Sequence, residues 1–146
     1  MRLFVADFEA SMSKRFDIKF WSKLKNLMDE MRKATENDRL VDVNTQNLAV
    51  GFLTDLSLLC HYHYEIPEFG MPRHLTWTPT VCHTRKRVES VKNCRVFAAY
   101  IMLRMGDLMR YKNYLDIAKT YYELSARLNP ADGATWNQLG VSATLR

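Results

Sequence analysis

The 146 residues include only five glycines and four prolines. Chain-breaking residues are too sparse for a strand-and-turn sandwich, so long helices are favoured. Cysteine is equally scarce: Cys60, Cys82 and Cys94 make an odd set of three. That excludes a disulfide framework and points to a reducing compartment, with a cytoplasmic protein that shuttles to the nucleus as the expectation. No apolar run approaches the roughly 18 residues of a membrane span, and Asp7 and Glu9 interrupt the place where a signal peptide keeps its apolar centre. Also missing are a glycine-rich phosphate loop, a Ser/His/Asp set and a pair of carboxylates at catalytic spacing. The chain is expected to be non-catalytic and to carry no cofactor.

What is present suits one all-α domain over residues 1–146. The apolar fraction is 47% and the charged fraction 25%, ordinary values for a folded protein. Twenty-one Lys and Arg against sixteen Asp and Glu leave a net charge of +5. A basic surface tilts the partners toward anions: phosphopeptide, nucleic acid or lipid headgroups.

Apolar residues recur every three or four positions from Phe4 to Met31, first as Phe4, Phe8, Met12 and Phe16, then as Phe20, Leu24, Leu27, Met28 and Met31. This is helical periodicity, with Ser11 and Ser13 marking a joint. The segment Ala34–Val43 loses the period and reads as a connector. Asn44 or Thr45 is placed to cap a second helix with the core stripe Leu48, Phe52, Leu56, Leu59 and His63, halted by Pro67 and Gly70. Residues 65–86 hold three of the four prolines and form a long loop. A third helix follows from about Arg87 to Lys112, with Val88, Val91, Phe97, Ala98, Ile101, Met105, Leu108 and Met109 inward. Asn113 breaks it, a fourth helix covers Tyr114–Leu128, Asn129–Gly133 is a turn, and Trp136–Leu145 begins a fifth. Such helices pack as antiparallel hairpins.

Gly106 and Gly140 stand 34 residues apart, the period of a tetratricopeptide repeat. A repeat starting at Ala99 puts Gly106, Ala118, Tyr122 and Pro130 at its glycine, small, aromatic and closing-proline positions. The next starts at Gly133, with Trp136, Leu139 and Gly140 in register. Residues 99–146 are thus the repeat-like part, and the second repeat stops after one helix, as in a truncated or short form. The logic is steric: helices cross closely where small residues sit at the contact and aromatics fill the space beside them.

Arg110 and Tyr111 close the third helix. A guanidinium forks onto two phosphate oxygens, and a tyrosine hydroxyl adds a neutral donor. Lys25 and Arg32, seven residues apart on one helix face, are the candidate cations to complete a phosphate pocket. A shift of one residue would replace them with Asn26 and Lys33.

The stretch GDLMRYK, with AKTYYELSARLNPADGATWNQLG following, resembles the SMG/EST family of nonsense-mediated mRNA decay adaptors and telomerase-associated proteins. The match runs through Gly106, Asp107, Arg110, Tyr111, Ala118, Tyr121, Tyr122, Ala126, Pro130, Gly133 and Trp136 to Leu139, with Met105 where the family has Leu. Upstream it is weaker, at Phe20–Lys23. The resemblance implies a 14-3-3-like domain fused to tetratricopeptide-like helices in a right-handed stack. It further implies binding of the phosphorylated RNA helicase of the decay pathway, recruitment of phosphatase and decay machinery, and pairing with a homologous adaptor. Arg110 and Tyr111 match the family's phosphate-gripping pair. The lysine position, counted from Trp21, falls on Asn26, with Lys25 beside it.

Two other groupings weigh less. Cys60, His61, His63, Cys82 and His83 are metal-ligand types at a spacing that fits no compact zinc site. The mixed aromatic and basic stretch Trp77–Arg87 could stack on and neutralise weakly bound RNA or DNA, although a solvated loop with a basic helix start explains it better. Asp107 is read as a partner for a neighbouring cation such as Arg110.

Overall fold

A computed structural model describes residues 8–34, 39–64 and 88–144, all in helices or the tight turns between them, with no strand among the described residues. The all-α class therefore holds. Six helices are defined: α1 (Phe8–Ser13), α2 (Phe16–Ala34), α3 (Arg39–Tyr64), α4 (Val88–Tyr111), α5 (Leu115–Leu128) and α6 (Gly133–Thr144). Two compact units emerge, Met1–Asp55 and Leu56–Arg146, with the division falling inside α3. The expected loop at 65–86, and with it Trp77–Arg87, lies outside the described residues.

In the first unit the joint falls where the serines suggest. Ser13 Oγ donates to the Ala10 carbonyl at 3.0 Å, and Arg15 takes a left-handed φ of 54° that ends α1 before α2 resumes at Phe16. Met28 is buried and Phe20, Leu24 and Met31 are half-buried, whereas Phe16 and Leu27 are exposed.

The connector and the second helix need correction. Of the supposed connector, residues 39–43 are already helical, and Asn44 and Thr45 sit inside α3 instead of capping it. The Thr45 hydroxyl bonds back to the Val41 carbonyl at 2.8 Å, and Gln46 Nε2 donates to Asp42 Oδ2 at 3.0 Å. A threonine that looks like a cap can equally spend its hydroxyl on the carbonyl four residues earlier. The start of the stripe is displaced by one residue as well, although Leu56 is buried as predicted. Leu48 is 72% and Phe52 38% exposed, while Ala49, Leu53, Leu56 and Cys60 are buried. Apolar residues surround much of α3, so spacing alone does not select the face. Phe52 still stacks on Phe20, with centroids 5.3 Å apart.

The second unit is built on α4. Phe97, Ala98, Ile101, Met105, Leu108 and Met109 are all buried, as their spacing requires, and Cys94, Ala99, Met102 and Leu103 join them. A helix buried on so many sides is a central element. Its end is a Schellman turn: Asn113 N–H donates to the Arg110 carbonyl at 2.9 Å and Tyr114 N–H to the Met109 carbonyl at 2.9 Å, with Asn113 at φ 63°. Asparagine tolerates this left-handed conformation, whereas a β-branched residue does not. Asn113→Val is expected to cost roughly 1–2 kcal/mol and Asn113→Gly little or nothing, read by urea unfolding.

The chain then reverses, and α5 packs antiparallel to α4. Ser125 Oγ donates to the Ala99 carbonyl at 2.8 Å and lies 2.9 Å from Thr135 Oγ1 on α6. Thr135 in turn donates to Asp132 Oδ2 at 2.6 Å. Asp132 also accepts from the Ala134 N–H at 3.2 Å, which makes it the N-cap of α6. The fifth helix of the sequence reading thus starts three residues early, at Gly133.

Candidate functional site

The contact between α4 and α5 centres on Gly106. A β-carbon there would lie 2.6 Å from Cδ1 and 2.9 Å from Cζ of Tyr122, distances that real side chains do not adopt. With no side chain at this position, the Tyr122 ring packs directly against the α4 backbone and is fully buried. Its hydroxyl reaches the next residue, donating to Asp107 Oδ1 at 3.1 Å. An ionised carboxylate only accepts, so the direction is fixed.

Asp107 is buried, and its other oxygen accepts from Arg104 Nη1 at 2.9 Å. Its cation is therefore Arg104, one turn back, and not Arg110 as the sequence suggests. Positions 104 and 110 are both three residues from 107, so spacing could not choose between them. Arg104 also lies over the Tyr100 ring, 4.7 Å from the centroid.

Arg110 follows on the same helix, half-buried, with its guanidinium 4.8 Å from the centroid of the exposed Tyr111 ring. The predicted pair is thus brought together as a cation stacked on an aromatic face. Burial pulls the pKa of Arg110 down, but the Tyr122 hydroxyl, then Tyr111 and Asp107, outweigh it, and the net shift is upward. The Nε atom of Arg110 is buried and has no hydrogen-bond partner. Tyr122 is the residue that sequence reasoning assigned only to packing; its hydroxyl is bonded to the buried Asp107 carboxylate.

Lys25 is exposed on α2, as are the alternatives Asn26 and Lys33. Arg32 also belongs to α2, but its side chain lies outside the described residues. Lys25 belongs to the first unit and the Arg110–Tyr111 pair to the second. Cys60 and Cys94 are buried free thiols. The side chains of His61, His63, Cys82 and His83 are outside the described residues, and no metal-binding cluster occurs among the described ones.

Burial, then the negative charge of Asp107, push the Tyr122 pKa up to about 12, with Arg110 pulling it down. Folding thus favours the protonated phenol. This stability is fully present below the unfolded-state value near 10 and is lost as pH rises to about 12. Alkaline unfolding followed by circular dichroism should show that loss, and Tyr122→Phe should remove the part of it that falls between those values.

No model of a known protein family matches the chain. Nonsense-mediated mRNA decay factor SMG7 of Danio rerio is 23% identical over 156 residues, which covers 98% of this chain and 13% of that protein. A chain in the solved structure of the C. elegans SMG5–SMG7 complex is 65% identical, with a TM-score of 0.82 over 99% of this chain and 38% of that one. The helical architecture is therefore the one found in nonsense-mediated decay factors. The chain belongs to the SMG family and spans a minor part of the length of both relatives.

Proposed function

We propose that this chain is the phosphopeptide-binding part of a non-catalytic adaptor in nonsense-mediated mRNA decay. On this reading Arg110 and Tyr111 grip a phosphoserine or phosphothreonine, with Lys25 and Arg32 supplying further positive charge. The observation that carries it is the Arg110–Tyr111 stack, presented at the end of a rigid, buried helix. Two N–H donors in a fixed fork suit phosphate better than a mobile ammonium does. Membership of the SMG family supports the pathway, and the proposed ligand is the phosphorylated RNA helicase, with phosphatase and decay machinery recruited by the whole protein. The SMG5–SMG7 pairing in the solved relative supports a homologous adaptor as second partner.

Isothermal titration of a phosphoserine peptide and its unphosphorylated twin tests the reading. The phosphorylated form should bind at least ~10-fold more tightly, as a charge-assisted contact contributes about 1.5–3 kcal/mol. Equal affinities would sink it.

One observation favours a second reading. Residues 14–33 carry seven Lys or Arg against three Asp or Glu, a basic helix that could follow a nucleic-acid backbone. Single-stranded RNA binding whose logarithm falls steeply with the logarithm of salt, without phosphoserine preference, would replace the phosphopeptide reading with this one.

A further inference from the structure

Arg104, Asp107 and Arg110 follow one another at intervals of three on α4, so each arginine lies about one turn from the same carboxylate. That carboxylate is 4% exposed, and a buried anion needs a cation beside it. Both of its oxygens are engaged: Oδ1 accepts from the Tyr122 hydroxyl at 3.1 Å and Oδ2 from Arg104 Nη1 at 2.9 Å. Arg104 is further held over the Tyr100 ring. Among the described residues Arg110 makes no ion pair, and its guanidinium stacks on Tyr111 instead. The Arg104–Asp107 pair is neutral as a unit, so the charge of Arg110 is left uncompensated by Asp107.

We propose that Arg104 is the positioning residue for Arg110: by holding Asp107 it keeps Arg110 from turning to that carboxylate and leaves its guanidinium for phosphate. The part about phosphate rests on the phosphopeptide reading above; the part about which arginine pairs with Asp107 does not. Two arginines at equal spacing compete for one buried anion, and Arg104 has won. Without it Asp107 would lack a cation, and the other arginine at pairing distance along the helix is Arg110. A guanidinium drawn to Asp107 must leave it before it can fork onto phosphate. An uncompensated carboxylate three residues away would also repel the incoming anion. Both effects weaken phosphate binding and spare an unphosphorylated peptide. Arg104 touches no ligand in this scheme and acts only through its partner.

The test introduces Arg104→Gln into the full chain and follows two quantities. The first is the coupling between Asp107 and Arg110 in urea unfolding, from a cycle of Asp107→Asn, Arg110→Gln and the two together. In the parent chain the effects on the unfolding constant should combine to within about twofold, the size of an ordinary pair on a helix surface. In the Arg104→Gln background the same cycle should show a coupling of about fivefold or more, because Arg110 now pairs with the buried carboxylate. A merely structural role for Arg104 would lower stability without coupling its neighbours. The second quantity is affinity for a phosphoserine peptide and its serine twin. Arg104→Gln should weaken phosphoserine binding roughly tenfold, the worth of one charge-assisted hydrogen bond at the weak end of its range. Adding Asp107→Asn should restore it, and serine-peptide binding should not move. Equal coupling in both backgrounds overturns the proposal. So does a phosphoserine affinity that Arg104→Gln leaves unchanged in a chain that prefers phosphoserine, or one that stays low after Asp107→Asn is added. A parent chain with no such preference overturns the phosphopeptide reading, and the coupling still decides the positioning role. If Arg104→Gln does not fold, Arg104→Lys takes its place. An ammonium holds the carboxylate less firmly than the fork does, so a coupling of about threefold or more is expected, and one within about twofold overturns the proposal.

Discussion

Arg110→Glu should lower phosphoserine-peptide affinity by about 100-fold or more and erase the preference over the unphosphorylated peptide. Two effects add. The substitution removes the forked donor, whose charge-assisted bonds contribute about 1.5–3 kcal/mol each, and places an anion where the phosphate must sit. A hundredfold loss corresponds to about 2.8 kcal/mol, so one lost bond at the upper end of that range already reaches it without the repulsion. The new carboxylate would stand three residues from the buried Asp107, and like charges at that spacing cost a helix a few tenths of a kcal/mol. Melting must therefore be followed in parallel, with binding measured well below the transition. A folded variant that still prefers the phosphopeptide would remove Arg110 from the site. Retained binding of a homologous partner with no phosphate dependence would leave the chain as a pairing scaffold.

The second large effect concerns stability and has opposite signs at two glycines of the same repeat register. Gly106→Ala should destabilise the chain by about 1–3 kcal/mol, the usual cost of forcing a methyl into a packed contact, because Tyr122 is fully buried and cannot yield. The value should fall at the upper end, since withdrawing the ring also withdraws its hydroxyl from Asp107. Gly140→Ala should be neutral or stabilising by up to ~1 kcal/mol through reduced backbone freedom, because nothing lies within 4 Å of the added carbon. Urea unfolding of both variants gives the comparison. A harmless alanine at 106 would mean that the contact is looser than the structure has it.

The two sites also measure how far the sequence could be read. In α5 buried residues alternate with exposed ones cleanly enough for spacing to identify the inner face, in α4 the predicted positions from Phe97 to Met109 are buried along with most of their neighbours, and the glycine-to-aromatic register predicts the Gly106–Tyr122 contact. Breaks at Ser13 and Asn113 were legible because a short polar residue either bonds to its own backbone or tolerates a left-handed turn. The start of the α3 face was not: with Leu48, Ala49, Phe52 and Leu53 all apolar, the stripe before Leu56 could be drawn one residue out of place, and only tertiary packing decides. The Arg110–Tyr111 pair could be found from its residue types. The role of the Tyr122 hydroxyl could not, because an aromatic at a packing position gives no sign of where its oxygen points. Likewise, Asp107 had two equally spaced arginines to choose from.

The contacts from the Ala99 carbonyl through the Ser125 and Thr135 hydroxyls to Asp132, of which the two hydroxyl protons fill two at a time, reach across three helices. Their effect is on cooperativity. A helix with an exposed Trp136 and few buried apolar side chains would ordinarily part from its neighbours in small, frequent openings. Here the first turn of α6 cannot open without breaking the bond to Asp132 and releasing a hydroxyl that is fully buried against α5. In native-state hydrogen exchange the amides just after Thr135 should therefore open together with the core of α4 and α5.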